Sequence, residues 1–238
     1  MRPTISCFLP AFNEAENLPR VVAEATAALD RLAEEHEVII VNDGSSDDTA
    51  AVGETLSRAD PRVRVVHHEV NRGYGAAVRT GIESAKLDYV FFTDGDGQFR
   101  VAELERLLPR LEGADAVLGY RLDRQDHLLR KLNGAAWTFL MDLVFHLRVR
   151  DVDCAFKIFR RSIFDGMTLR SSGAMISAEM IARLRRRRAR IVQMGVHHYP
   201  RIAGNPTGAN PFVILKAFAE LFQLSSDISA TPGPEAEA

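Results

Sequence analysis

The chain has few cysteines, and their spacing does not suit zinc binding. Its 238 residues include only Cys7 and Cys154, which lie far apart and form no CxxC pair. This spacing indicates neither a zinc site nor a disulfide framework. We therefore expect the protein to work in a reducing compartment.

Long hydrophobic runs and a large excess of charge are also missing. No segment reaches the roughly 20 apolar residues that span a bilayer. The short apolar run 5–9 is followed by Pro10 and the acidic Glu14, unlike a signal peptide. The net charge of -2 argues against bulk nucleic-acid binding. With 46% hydrophobic residues, the composition is that of a soluble protein with a full core, and we expect one domain.

Strand-like and helix-like segments alternate along the first half of the chain. The pattern predicts strands at 4–9, 38–41, 62–68, 89–93 and 114–119, and helices at 15–31, 46–59, 75–84 and 101–112. Short connections between alternating strands and helices are typical of a parallel sheet flanked by helices. The predicted fold class is therefore α/β.

Polar loops follow the first four predicted strands, at 10–14, 42–45, 71–75 and 94–98. In parallel sheets, ligands bind beyond the carboxyl ends of the strands. One such loop alone is ordinary turn chemistry, but four at one edge predict a binding site. Gly73 and Gly75 lack the third glycine of a dinucleotide fingerprint, so a nicotinamide cofactor is the weaker alternative.

The loop after the fourth strand offers ligands for a metal ion. Asp94, Asp96 and Gln98 alternate with two glycines, and their side-chain oxygens are hard ligands. Such a site suits Mg²⁺ or Mn²⁺ carrying a diphosphate. The alternative is a simple Asp-Gly turn, whereas an EF-hand loop fits poorly.

Seven ordered motifs lie at 10–14, 42–47, 71–76, 94–98, 119–121, 151–157 and 198–201. In order and spacing they resemble the family 2 glycosyltransferases, and within them the dolichyl- or polyprenyl-phosphate mannosyl and glucosyl transferases. The resemblance implies a GT-A type nucleotide-diphospho-sugar transferase fold with a mostly parallel central sheet. It also implies one domain over 1–225, and 226–238 has the composition of a disordered tail.

Carried over by residue, the resemblance and the charge pattern assign four groups of site residues. The donor-binding group is Pro10, Ala11, Asn13, Glu14, Asp43, Gly73 and Asp94, and the metal group is Asp94, Asp96 and Gln98. The catalytic group is Asp96, Asp153, Arg121 and Arg201, and the acceptor-phosphate group is Arg121, Arg130, Lys131 and Arg201.

The expected activity is inverting, metal-dependent transfer of mannose or glucose from GDP-mannose or UDP-glucose to a polyprenyl (dolichyl-type) phosphate. Two alternatives stay open. One is a family 2 glycosyltransferase with a hydroxyl acceptor and Asp153 as base, and the other is a non-catalytic nucleotide-sugar binding protein.

We expect a cytoplasmic protein at the inner face of the membrane, bound peripherally or through a membrane-protein partner, and no nucleic-acid partner. Segments 135–145 and 211–224 are apolar, aromatic and too short to span, so each can lie in the interfacial plane or pack on the core. The run 183–190 carries six arginines, which an anionic leaflet attracts.

Overall fold

The computed structural model describes residues 2–122, 128–201, 203 and 224, with the side chains of 128–133 and 135 outside that description. The strands are β1 (Thr4–Ala11), β2 (Glu35–Asn42), β3 (Val63–His67), β4 (Tyr89–Thr93), β5 (Ala116–Leu122), β6 (Phe156–Arg160) and β7 (Ile191–His197). The α-helices are α1 (Leu18–Leu32), α2 (Thr49–Ala59), α3 (Tyr74–Ser84), α4 (Leu104–Leu107), α5 (Leu128–Phe145) and α6 (Ile176–Arg186).

The strands form one mixed sheet in the order β3-β2-β1-β4-β6-β5-β7. β1, β2, β3 and β4 pair in parallel, as do β5 and β7, whereas β6 is antiparallel to both β4 and β5. The predicted α/β class with a mostly parallel sheet is therefore confirmed. Strands β6 and β7 were not predicted from the sequence.

The sheet core forms because its central strands are apolar on both faces. Phe8 of β1 stacks on Phe92 of β4 with ring centroids 5.2 Å apart, and Phe92 stacks on Phe159 of β6 at 6.4 Å. On the other face, Phe91 meets Phe156 edge to face at 4.8 Å. These aromatic contacts fix the register across the centre of the sheet.

The predicted helix 101–112 is not one continuous helix. Two 3-10 turns, Val101–Glu103 and Leu108–Leu111, flank the short helix α4. Pro109 explains the break, because proline lacks the amide hydrogen of a helix interior and its ring clashes with the preceding turn. The predicted helix at 211–224 and tail at 226–238 lie outside the described residues, except that Leu224 is described as helical and buried.

Reversal of β6 decides which residues meet at one edge of the sheet. Six strands run in the same direction and end at this edge, while β6 begins there, with Phe156 opposite Thr93. Residues 151–155 precede β6. They therefore lie at the same edge of the sheet as the loops that follow the other strands. Within the described ranges, no helix is long and apolar enough to cross a membrane.

Gly81 in α3 allows that helix to lie directly on β1. A methyl group at this position would overlap the ring of Phe8. We expect Gly81→Ala to lower the free energy of unfolding by about 1–3 kcal/mol, because an overpacked core must shift. Urea denaturation measures this change.

Gly53→Ala in α2 is the matched control. Its added methyl group would lie 3.3 Å from a Val65 methyl group, and the lost glycine flexibility favours the helix. The control variant should therefore unfold close to the wild-type midpoint. A Gly81→Ala midpoint equal to that of wild type would contradict this packing.

Candidate active site

Two carboxylates follow β4 at the edge where the strands end. Asp96 is 5% exposed, and its Oδ1 accepts the Gln98 amide at 3.0 Å, which closes the turn. Gly97 in this turn has φ 71°, a left-handed conformation that favours glycine. Asp94 is only partly buried and accepts the Tyr74 hydroxyl at 2.9 Å.

Arg201 joins the loops after β1 and β4. Its Nη1 donates to Glu14 Oε1 at 3.0 Å, and its Nη2 donates to Asp96 Oδ2 at 2.8 Å. The segment that carries Arg201 is held in turn by Gln98, whose carbonyl accepts the Tyr199 amide at 2.9 Å and whose Nε2 donates to the Tyr199 carbonyl at 3.1 Å. Arg201 was predicted in both the catalytic and the acceptor-phosphate groups, and in the structure it lies beside the predicted metal ligand Asp96.

Negative charge exceeds positive charge around these groups. Burial, and then the charge of Asp96, raises the pKa of Asp94 to about 7, although Lys157 and Arg201 act in the opposite direction. Burial also raises the pKa of Glu14. Carboxylates that are this costly to ionise are stabilised by an added cation.

The residues present fit a divalent ion. Asp94 and Asp96 supply two carboxylates, and Gln98 adds an amide oxygen. Among the described residues, no group of three or more His, Cys, Asp or Glu side chains is placed to hold a metal by itself. Mg²⁺ is commonly bound by one or two carboxylates together with the phosphates of a substrate. The site is therefore suited to a metal that arrives with a diphosphate.

The loop after β1 is fixed to the loop after β2. Asn13, at φ 59°, donates its amide to Ser45 Oγ at 3.0 Å and accepts the Ser46 amide on Oδ1 at 2.8 Å. Glu14 donates its amide to Thr49 Oγ1 at 2.8 Å. The Pro10 and Ala11 carbonyls accept the Gly95 amide at 3.3 Å and the Asp43 amide at 2.9 Å. Five of the seven predicted donor-binding residues, at positions 10, 11, 13, 14 and 43, thus lie together.

The carboxylate of Asp43 organises the loop after β3. It accepts His68 Nδ1 at 2.6 Å, the Arg72 amide at 2.9 Å and the Gly73 amide at 2.9 Å. Gly73, at φ 94°, is also needed because a side chain there would overlap the Ser172 carbonyl. The predicted donor residue Gly73 is therefore held in the same cluster as Asp43.

The loop before α6 closes this side of the site through a buried glutamate. Glu179 is fully buried and accepts the Arg170 amide at 3.0 Å and the Ser171 amide at 2.7 Å. Arg183 balances its charge at 2.8 Å. The loop fixed in this way accepts the Gly75 amide on the Ser172 carbonyl at 2.9 Å.

The predicted acceptor residues are only partly brought together. Arg121 forms a two-pronged ion pair with Asp151, with Nε–Oδ2 and Nη2–Oδ1 distances of 2.6 and 2.7 Å. The pair therefore carries less net positive charge than Arg121 alone. Asp153 precedes β6 and is exposed. Arg130 and Lys131 lie in α5 with their side chains outside the described residues.

Lys157 is a fully buried site residue to which the sequence analysis gave no role. Its Nζ donates to the carbonyls of Val152, at 3.2 Å, and Cys154. Burial lowers its pKa, while the charges of nearby carboxylates, Asp94 among them, raise it. Lys157 therefore holds the backbone on either side of Asp153. The detectable signal was a lysine inside the apolar strand segment 156–159.

Other side chains that build the site also escaped the sequence analysis, namely His68, Tyr74 and Glu179. Their residue types are ordinary for a strand end, a helix start and a basic helix. Only the folded contacts with Asp43, with Asp94 and with the loop before α6 show what they do.

Comparison with known proteins gives a family match and a fold match. Residues 6–167 match the family model described as Glycosyl transferase family 2. Crystal structures of glucosyl-3-phosphoglycerate synthase from Mycobacterium tuberculosis share the fold. Its complex with Mn²⁺, UDP and glucosyl-3-phosphoglycerate has a TM-score of 0.73 at 20% identity, covering 94% of this chain and 80% of that one.

Two further structures show the same likeness. The same synthase with Mn²⁺, UDP-glucose and phosphoglyceric acid has a TM-score of 0.73 at 20% identity, with 94% of this chain and 80% of that chain covered. A structure described as a mycobacterial protein has a TM-score of 0.68 at 20% identity, with 96% and 73% covered. The GT-A type fold is thereby confirmed.

The raised pKa of Asp94 makes stability depend on pH. Its ordinary pKa is 3.8 and its folded value is about 7, so ionisation disfavours the folded state increasingly as pH rises between these values. In chelator, Asp94→Asn should therefore raise the free energy of unfolding at pH 8, and this gain should shrink at pH 5. Urea denaturation at the two pH values measures it.

Asp165→Asn removes one charge from an exposed carboxylate and serves as the control. It should give no comparable gain at pH 8. An Asp94→Asn effect of the same size at both pH values would show that the Asp94 environment does not disfavour its ionised form.

Proposed function

The chain belongs to glycosyl transferase family 2, and from this premise we propose that it transfers a hexose, mannose or glucose, from a nucleoside-diphosphate sugar to an acceptor, with Mg²⁺ or Mn²⁺. The observation that carries the proposal is the Asp94–Asp96 pair at the carboxyl end of β4, where burial and mutual repulsion call for a cation. A divalent ion held by Asp94, Asp96 and Gln98 would stabilise the charge on the departing diphosphate.

The chain's own residues supply the rest of the donor site. Arg201 lies between Glu14 and Asp96, so its guanidinium is within reach of a diphosphate bound at those carboxylates. Asp43 and Glu14 flank the ends of β1 and β2 and provide acceptors for the nucleoside. Solved structures of the same fold contain Mn²⁺ with UDP or UDP-glucose, which supports this class of donor.

The proposed acceptor is a polyprenyl phosphate. A phosphate monoester is largely dianionic at neutral pH and needs no strong base to attack the anomeric carbon. Attack opposite the leaving diphosphate inverts that carbon. The task of the protein is then alignment and charge neutralisation. Arg121, Arg201 and the buried Lys157 are described cations of the site, and both arginines already have carboxylate partners.

An exposed apolar face on α5 supports a lipid acceptor. Phe139 and Leu143 are 71% and 63% exposed, and they lie on one side of the helix. The exposed Arg148 and Arg150 follow the helix directly. Apolar side chains beside arginines suit the surface of an anionic bilayer. We therefore propose peripheral membrane binding through α5.

A hydroxyl acceptor is the second candidate. The exposed Asp153 lies at the edge where the strands end, which puts a carboxylate on the side of the sheet where a base would act. Structures of the same fold contain phosphoglyceric acid, a phosphorylated small molecule that carries a hydroxyl group. The two candidates share the donor site and differ in what attacks the sugar.

One transfer assay separates the two acceptors. The protein is incubated with Mn²⁺, with UDP-glucose or GDP-mannose, and with either a short polyprenyl phosphate or 3-phosphoglycerate. We expect transfer to polyprenyl phosphate that EDTA abolishes. Asp153→Asn should leave this transfer largely unchanged, whereas a hydroxyl reaction that uses Asp153 as base should fall by about 10²-fold or more.

Turnover only with 3-phosphoglycerate would replace the first candidate by the second. Nucleotide-sugar binding without turnover on either acceptor would indicate a non-catalytic binding protein. EDTA-resistant transfer would contradict the proposed role of Asp94 and Asp96.

Membrane binding is tested by sedimentation with vesicles that contain anionic phospholipid. The double change Phe139→Ser, Leu143→Ser should weaken binding by about tenfold or more, because it removes two large apolar side chains from the interface. Val70→Ser removes an equally exposed apolar side chain, 67% exposed, outside α5 and should have no effect. Equal binding by all three proteins would exclude docking through α5.

A further inference from the structure

Asp151 lies at the start of the segment that leads into β6, and it holds the guanidinium of Arg121. The side chains of Asp151 and Arg121 are only 11% and 12% exposed. Although burial raises the pKa of Asp151, its bonds to Arg121 bring that pKa below its ordinary value. Asp151 is therefore ionised at neutral pH and poorly suited to act as a base, since a general base needs a pKa near the working pH.

The pairing with Asp151 uses only one edge of the Arg121 guanidinium. This group is planar and carries five N–H donors. Nε donates to Asp151 Oδ2 at 2.6 Å and Nη2 donates to Oδ1 at 2.7 Å. The second hydrogen of Nη2 and the hydrogens of Nη1 take no part in this pairing. Nη1 and Nη2 form the end edge of the guanidinium, which can donate two parallel hydrogen bonds to a phosphate.

The other cations of the site are engaged differently. Arg201 Nη1 and Nη2 donate to separate carboxylates, Glu14 at 3.0 Å and Asp96 at 2.8 Å, so both nitrogens of its end edge already carry a bond. Lys157 is fully buried and donates to backbone carbonyls. Of these three cations, Arg121 is the one whose pairing leaves a second edge for a ligand.

Asp151 is itself fixed against the end of β5. Its Oδ2 also accepts the Arg121 amide at 3.3 Å. The preceding residue, Arg150, places its guanidinium 4.8 Å from the centre of the Tyr120 ring and donates from Nη1 to the Tyr120 hydroxyl at 2.9 Å. Because neighbouring residues of a strand point to opposite faces, residues 150 and 151 contact β5 on both faces. The carboxylate therefore has a fixed position from which it orients the guanidinium.

The end of β5 is suitably placed for an acceptor. β6 lies between β4 and β5 in the sheet. Neighbouring strands are about 4.8 Å apart, so β4 and β5 are separated by about 10 Å. In-line attack needs two phosphate groups on opposite sides of the anomeric carbon, and this separation suits a diphosphate on the β4 side and an attacking phosphate on the β5 side.

We propose that Asp151 is a positioning residue, which holds Arg121 by one edge so that the other edge binds the phosphate monoester of the acceptor. This role rests on the proposed function, because the phosphate is that of the attacking acceptor. The chemistry is the same whether the phosphate belongs to a lipid or to a small metabolite.

The sign of the effect distinguishes positioning from simple charge. Asp151→Asn removes one negative charge beside an anion site, so electrostatics alone would tighten phosphate binding. Loss of the two-pronged bond instead lets the guanidinium rotate away. The variant should therefore bind the phosphate about tenfold more weakly or worse, which is the effect of losing one charge-assisted hydrogen bond.

Calorimetric titration of the whole protein measures this change, in the presence of Mn²⁺ and of UDP or GDP, whichever the wild type binds. The titrants are a short polyprenyl phosphate and 3-phosphoglycerate, with polyprenol and glycerate as their phosphate-free counterparts. The wild type should bind one of the two phosphates, which identifies the source of the phosphate, and should bind its counterpart at least about tenfold more weakly. Asp151→Asn should lose affinity for that phosphate and keep its affinity for the nucleotide.

Two further variants serve as controls. Asp165→Asn removes the same charge from an exposed carboxylate beyond the far end of β6 and should leave these affinities unchanged. Arg121→Lys keeps the positive charge but loses the planar fork, so in this background Asp151→Asn should cause no further loss of phosphate binding. A purely structural role for Asp151 would give the same loss in both backgrounds or would weaken the nucleotide as well.

Asp151→Glu replaces Asp151→Asn if that variant does not fold. It keeps the charge and lengthens the side chain by one methylene group, so it moves the guanidinium and should also weaken phosphate binding.

The outcomes separate this role from the proposed function. Unchanged or tighter phosphate binding by the Asp151 variant would overturn the role of Asp151, while sugar transfer by the wild type would still support the proposed function. Binding of neither phosphate by the wild type would overturn the acceptor site at Arg121. Phosphate binding that depends on Asp151 without any sugar transfer would keep the positioning role and overturn the proposed function.

Discussion

The arrangement of the site depends on the fork of Arg201 between Glu14 and Asp96. These carboxylates come from loops far apart in sequence, and both are at least nine-tenths buried. Buried carboxylates on neighbouring loops repel one another unless a cation lies between them. Arg201, which follows the last described strand, supplies that cation and so joins the loops after the adjacent strands β1 and β4. Glu14, Asp96 and the Gln98 turn take their positions from this bridge.

The sequence was sufficient to predict the part of the fold in which strands and helices alternate along the chain. Four strands with polar loops predicted the edge at which ligands bind, because parallel strands end together. It was insufficient for β6, since alternation carries no information on strand direction. Reversal of β6 is what brings Asp153 to the same edge as Asp94, although one precedes its strand and the other follows it.

The residues of the site were also easier to predict from the sequence than their hydrogen-bond and ion-pair partners. Asp43 was assigned to the nucleoside as an open acceptor, yet the folded chain fills most of its lone pairs with His68 and two amides. Arg121 was assigned to a phosphate, yet Asp151 holds it. Such pairings depend on which loops meet in three dimensions. A sequence without known contacts therefore overstates how many charged side chains are available to a ligand.

The bridge made by Arg201 has a consequence for the life of the protein in the cell. Arg201 pairs with Glu14 and Asp96 through its own guanidinium, so the loops after β1 and β4 stay joined when no metal is bound, although the charge of Asp94 is then left uncompensated. On the proposed function, a shortage of manganese or magnesium would then slow sugar transfer without exposing the chain to proteases. The concentration of divalent ions would then set the rate of sugar transfer, whereas the amount of folded protein would not depend on it.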